Sequence, residues 1–133
     1  MKIIIVRAQA GIVGFESPAA EYIESSLSLD KLLIDKPSAT YFALVQGSSM
    51  QGDGIYDGDL LIVSRAEKTG NYDVIVGILN GEFVCKRLDK DRRLLISSYP
   101  EEHYYHLTEG DDFVVEGVVK SSIRLHQKLQ SLY

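Results

Sequence analysis

The sequence has no tryptophan, two methionines, three prolines and one cysteine, Cys85. A single cysteine excludes an intrachain disulfide framework and fits a reducing compartment, the cytoplasm. The three histidines, His103, His106 and His126, show no convincing metal-ligand spacing, and no metal or cofactor is expected. Excess positive charge is also missing. Fourteen Lys and Arg stand against 19 Asp and Glu, a net charge of −5. That balance argues against tight direct binding to naked DNA. Lys86-Arg87 and Arg92-Arg93 are short basic pairs interrupted by carboxylates, and they read as solvated strand and turn faces. Long apolar runs are lacking too. Ile3-Ile4-Ile5-Val6 stops at Arg7, far short of a signal-peptide core or a membrane span. No internal repeat, low-complexity tract or linker is visible.

What remains is a chain of 133 residues, 45% hydrophobic and 25% charged, enough for one packed domain. Ile3–Val6 is β-branched and reads as a strand or an extended arm. Ala8-Gln9-Ala10-Gly11 is small and suits an accessible extended segment. Ser17-Pro18 opens a short helix through Glu24, with Ser17 as N-cap and Pro18 in the first turn. Leu29–Ile34 offers another helical turn before Pro37. Short strands follow at 41–46, 59–64, 74–79, 82–88, 93–97 and 113–119. Asn80-Gly81 is a strong hairpin signal, because a type I′ turn needs positive φ at both central residues. Asp57-Gly58 marks another turn. Residues 123–132 read as a final short helix or a frayed tail. The fold class expected is mostly β: a compact, curled or closed antiparallel sheet with one or two short helices. Residues 1–16 form a mobile N-terminal arm, and residues 17–133 form the β-rich domain.

Two features could carry chemistry. Gln46-Gly47-Ser48-Ser49-Met50 follows a strand. A serine on a tight glycine turn can present its Oγ beside converging backbone N–H groups, as a nucleophile and an oxyanion hole require. Ser and Gly are also ordinary turn residues, so this signal is weak by itself. The second feature is Lys86. Strand alternation puts Val84, Lys86 and Leu88 on one face and Phe83, Cys85 and Arg87 on the other. A lysine acts as a base only when neutral, so its pKa must fall from about 10.4 to near neutrality, a differential of about 4 kcal/mol. Burial between aliphatic neighbours is the route to that change. The competing reading is a snorkelling lysine at a strand end.

Other layouts fit less well. The glycine after Ser49 is at position 52, so there is no G-x-S-x-G elbow. His103 and His106 lie in Glu101–His106, which reads as an exposed loop. The acidic stretch 51–59 lacks the terminal glutamate of a calcium loop. Cys85 sits in an apolar run without an activator and reads as a buried structural thiol.

Five segments taken in order are familiar: Ser17-Pro18-Ala19-Ala20-Glu21-Tyr22, Pro37-Ser38-Ala39-Thr40-Tyr41-Phe42, Gly47-Ser48-Ser49-Met50, Asp57-Gly58-Asp59-Leu60-Leu61-Ile62-Val63 and Gly81-Glu82-Phe83-Val84-Cys85-Lys86. Together they closely resemble the LexA/UmuD family of self-cleaving serine peptidases, from Ala10 to Val119. The resemblance implies a Ser-Lys dyad on a β-rich fold, with Ser49 as nucleophile and Lys86 as general base. It implies oxyanion donors at the N–H groups of Ser49 and Met50. The substrate would be the chain's own N-terminal arm, cut before a glycine. Ala10-Gly11 has the small residue the family favours before the cut. Counting back from Ser49 along Phe15-Glu16-Ser17-Pro18 points instead to Val13-Gly14. Ala10-Gly11 is preferred, because a tight pocket is a steric limit while an arm can bulge. The family further implies stimulation by a RecA filament on single-stranded DNA. Its trimmed product is a homodimer that joins the catalytic subunit of a Y-family polymerase (UmuC-like) in translesion synthesis. The family usually carries Asp where Ser48 stands, a difference for the turn more than for the chemistry. Two other readings stay open. One is a non-catalytic polymerase-binding subunit of the same fold. The other is a signal-peptidase relative, which should carry a membrane anchor.

Overall fold

The computed structural model describes residues 2–6 and 28–129. The helix expected from Ser17, and the bonds Ala10-Gly11 and Val13-Gly14, lie outside the described residues. Eight strands form one sheet: β1 (Lys2–Val6), β2 (Thr40–Gln46), β3 (Leu60–Ser64), β4 (Val74–Leu79), β5 (Glu82–Asp89), β6 (Leu94–Ser97), β7 (His103–His106) and β8 (Phe113–Ile123). Their order is β1-β2-β3-β8-β4-β5-β6-β7, and every pairing is antiparallel. The sheet curls into a half-barrel, so that edge strand β1 also lies against β5.

Alternation explains what fills the curl. Ala43 and Val45 on β2, Leu61 and Val63 on β3, Val76 on β4 and Cys85 on β5 are all buried in one cluster with Ile3, Met50 and Ile55. Phe42, Leu60 and Ile62 point the other way, and Leu33 and Ile34 pack against them. Leu33 ends the short helix α1 (Leu29–Leu33), whose first turn is capped by the Ser28 hydroxyl accepting from the Lys31 N–H. With both faces covered, β3 is buried along its whole length. A third cluster, Ile75, Leu88, Leu95 and Val118, packs β4, β5, β6 and β8 together. The β4–β5 hairpin turns at Asn80 and Gly81 with φ of 50° and 89°, as a type I′ turn demands.

Two expectations need correction. Glu101–His106 is not simply an exposed loop. Residues 103–106 form edge strand β7, paired with β6 from Ser97↔His103 to Leu94↔His106. All four side chains are exposed, so the apolar alternation that reveals a strand is missing there. At the other end, β8 continues four residues beyond Val119, to Ile123, and residues 124–129 contain no helix. Polar Lys120, Ser121 and Ser122 hid the extension, which the ladder with β3 supports.

Candidate active site

Ser49 lies on the connection from β2 to β3. That connection departs through Gly47 at φ 106°, a region that favours glycine. The Gly47 N–H donates to Asp57 Oδ1 at 2.8 Å, tying the two ends of the loop together. A single 3₁₀ turn, Gln51–Asp53, follows Ser49. Inside the loop, Asp53 N–H and Ile55 N–H donate to the Met50 carbonyl, and the Met50 side chain is fully buried in the main core. Asp59 is 1% exposed, accepts from the Tyr56 N–H and is paired with Arg124 at 3.1 Å. Arg124 also donates to the Gly54 carbonyl and stacks over the Tyr56 ring. The loop is therefore fixed at its base, its crown and its exit.

Lys86 comes from the middle of β5, where it is paired with Ile75 of β4 and half-buried. Its Nζ donates to Ser49 Oγ at 3.5 Å and, more closely, to Ser97 Oγ. Burial holds the Lys86 ammonium below the ordinary lysine pKa, and the adjacent Cys85 acts weakly the other way. Cys85 itself is fully buried, and burial pushes its thiol up to about 12. The thiol thus stays protonated and apolar in character, as a structural cysteine should.

The structure brings Ser49, Met50 and Lys86 together. The imidazoles of His103 and His106 are on exposed β7, while Lys86 is the basic group that reaches Ser49. Three elements of the site went unread in the sequence. Arg87 crosses to Asp53 on the loop, with Nε–Oδ1 at 3.0 Å and a second, closer contact, and also donates to the Tyr72 carbonyl. The Ser49 carbonyl accepts from the N–H groups of Ser98 and Tyr99 at 2.8 and 3.1 Å. Ser97 contacts Lys86. Arg87 is not simply part of a solvated face, because its guanidinium pairs with Asp53 of the nucleophile loop. Ser97 could have been found by extending the β5–β6 register, had the turn at 90–93 been placed.

A curled antiparallel sheet that seats a serine turn against a half-buried strand lysine defines a class, the LexA-type peptidase fold. Residues 2–120 match the family described as Peptidase S24-like. Protein ImpA of Escherichia coli is 35% identical over 124 residues, covering 93% of this chain and 83% of that protein. Protein MucA of Escherichia coli is 36% identical over 115 residues, covering 85% and 79%. The LexA repressor of Bordetella avium is 34% identical over 120 residues, covering 87% of this chain and 56% of the repressor. The chain belongs to the LexA/UmuD-type, Peptidase S24-like family.

Proposed function

We propose that this protein cuts its own N-terminal segment, with Ser49 as nucleophile and neutral Lys86 as general base. The observation that carries the reading is the 3.5 Å approach of Lys86 Nζ to Ser49 Oγ at a site where burial disfavours the ammonium. Serine Oγ attacks the scissile carbonyl carbon as Lys86 takes the hydroxyl proton, and the π electrons move to the oxygen. The resulting ammonium then protonates the leaving amine nitrogen as the C–N bond breaks. Water next hydrolyses the acyl-serine by the same proton route. The N–H groups of Ser49 and Met50 are assigned to the oxyanion. The bonds that fold the loop use the carbonyls of Ser48, Ser49 and Met50, which supports leaving those amides for substrate.

The bond cut is Ala10-Gly11, with Val13-Gly14 as the alternative. A RecA filament on single-stranded DNA favours the docked state of the segment, a population shift that adds no catalytic group. The trimmed chain acts in the cytoplasm as a homodimer and as accessory subunit of a Y-family polymerase in the SOS response. Among the described residues no helix is long and apolar enough to cross a membrane. Intact-mass measurement on the purified chain during incubation tests the proposal. A fragment starting at Gly11 or Gly14, lost in Ser49→Ala, is expected. An uncut wild-type chain, with or without the filament, would favour the non-catalytic subunit.

A further inference from the structure

We propose that Ser97 is a positioning residue for this reaction, holding the Lys86 amine so that its lone pair faces Ser49. The proposal rests on the Ser49–Lys86 reading and goes beyond it. The register of β5 with β6 pairs Arg87 with Ile96 and Leu88 with Leu95. Continuing that register by one residue would set Lys86 opposite Ser97, and directly opposed residues share a face; the contact of Lys86 Nζ with Ser97 Oγ agrees with it. Ser97 is 7% exposed, and its Oγ accepts from Lys86 Nζ. A neutral amine has two N–H bonds and one lone pair. Anchoring one N–H on Ser97 fixes the end of a side chain with four rotatable bonds and leaves the lone pair for the Ser49 proton. The next two residues hold the other half of the dyad: Ser98 N–H and Tyr99 N–H both donate to the Ser49 carbonyl. One short stretch at the end of β6 therefore sets both reacting side chains against each other.

Several described groups stand near Lys86 on neighbouring elements. β4 presents Ile75 opposite it. The nucleophile loop presents Ser49 and Asp53, the latter paired with Arg87. Cys85 is on the same strand, and β7 places His103 opposite Ser97. The test is self-cleavage of the full chain followed by intact mass across pH, with all variants built on His103→Gln so that no imidazole faces Ser97. Ser97→Ala should lower the alkaline plateau by about 10-fold or more, in line with small misplacements of reacting groups. Because an acceptor for the ammonium is lost, the inflection should also move to lower pH. Ser97→Thr should restore both. If the alanine variant unfolds, Ser97→Cys, of similar size and a poor acceptor, replaces it. An unchanged plateau overturns the proposal. So does a loss with no movement of the inflection, which marks a merely structural role, and so does failure of threonine to restore either quantity. A parent chain uncut at every pH refutes the dyad itself, whereas a cut parent with an unaffected Ser97→Ala refutes only the role of Ser97.

Discussion

Gly52→Ala places a methyl where the nucleophile loop meets the end of β6. The new Cβ would sit 2.5 Å from the Ser98 carbonyl oxygen, 2.7 Å from its Cβ and 2.9 Å from its Oγ. The first of these atoms is backbone and cannot rotate away. Ordinary contact requires the loop and β6 to separate by roughly 1 Å. The bonds from Ser98 N–H and Tyr99 N–H to the Ser49 carbonyl, now 2.8 and 3.1 Å, would then pass out of hydrogen-bonding range. Overpacking and two weakened bonds together cost ~2–4 kcal/mol. For a domain of this size that lowers Tm by roughly 6–15 °C. The same separation pulls Ser49 from Lys86, so self-cleavage should fall about 100-fold even well below the melting temperature. Gly54→Ala is the control. Nothing lies within 4 Å of its added Cβ, and only the φ of 81° opposes it. It should cost ~1–2 kcal/mol and leave cleavage nearly unchanged. The assays are thermal unfolding and intact mass. A Gly52→Ala variant that melts and cleaves like the wild type would refute the close seating of loop on strand.

Ser49→Ala and Lys86→Ala should each reduce cleavage by at least ~10³-fold with the fold retained by circular dichroism, since the pair works as a unit; normal cutting by either contradicts this. His106→Ala should leave the rate within about two-fold, because this exposed residue lies outside the Ser49–Lys86 contact. Lys86→Met should raise Tm at neutral pH. The folded pKa of Lys86 is depressed, so the unfolded chain binds the extra proton, and wild-type stability rises with pH between the folded and unfolded pKa. The advantage of the methionine should therefore shrink by pH 10, and an advantage that grows with pH would be evidence against the burial argument. Arg124→Ala removes the guanidinium paired with the buried Asp59 carboxylate and should cost about 2 kcal/mol in denaturant unfolding.

Most of the strands were legible because period-2 burial and turn chemistry agree. The 74–79 strand was bounded by Asn80-Gly81, and 82–88 fell one residue short of its end at Asp89. Strand β7 escaped because both of its faces are wet, and β8 was cut short because its last turns are held by pairing with β3 and not by apolar pattern. Ser49 and Lys86 stand out in the sequence as candidates through local signals reinforced by family resemblance. Their partners do not. Asp53 and Arg87 are 34 residues apart, and Lys86 and Ser97 meet only through strand register, so neither contact leaves a mark in any short window of sequence. Ile3–Val6 reads as a strand or an extended arm; pairing of Lys2–Val6 with β2 makes it part of the sheet, just ahead of the proposed cut.

The dependence of unassisted self-cleavage on pH tests the central claim most directly. If neutral Lys86 is the base, the rate should climb about ten-fold per pH unit through neutrality and level off above the pKa of the docked site. The large product should begin at Gly11 or Gly14 throughout. A rate that falls steadily from neutral to alkaline pH would contradict the lysine-base mechanism.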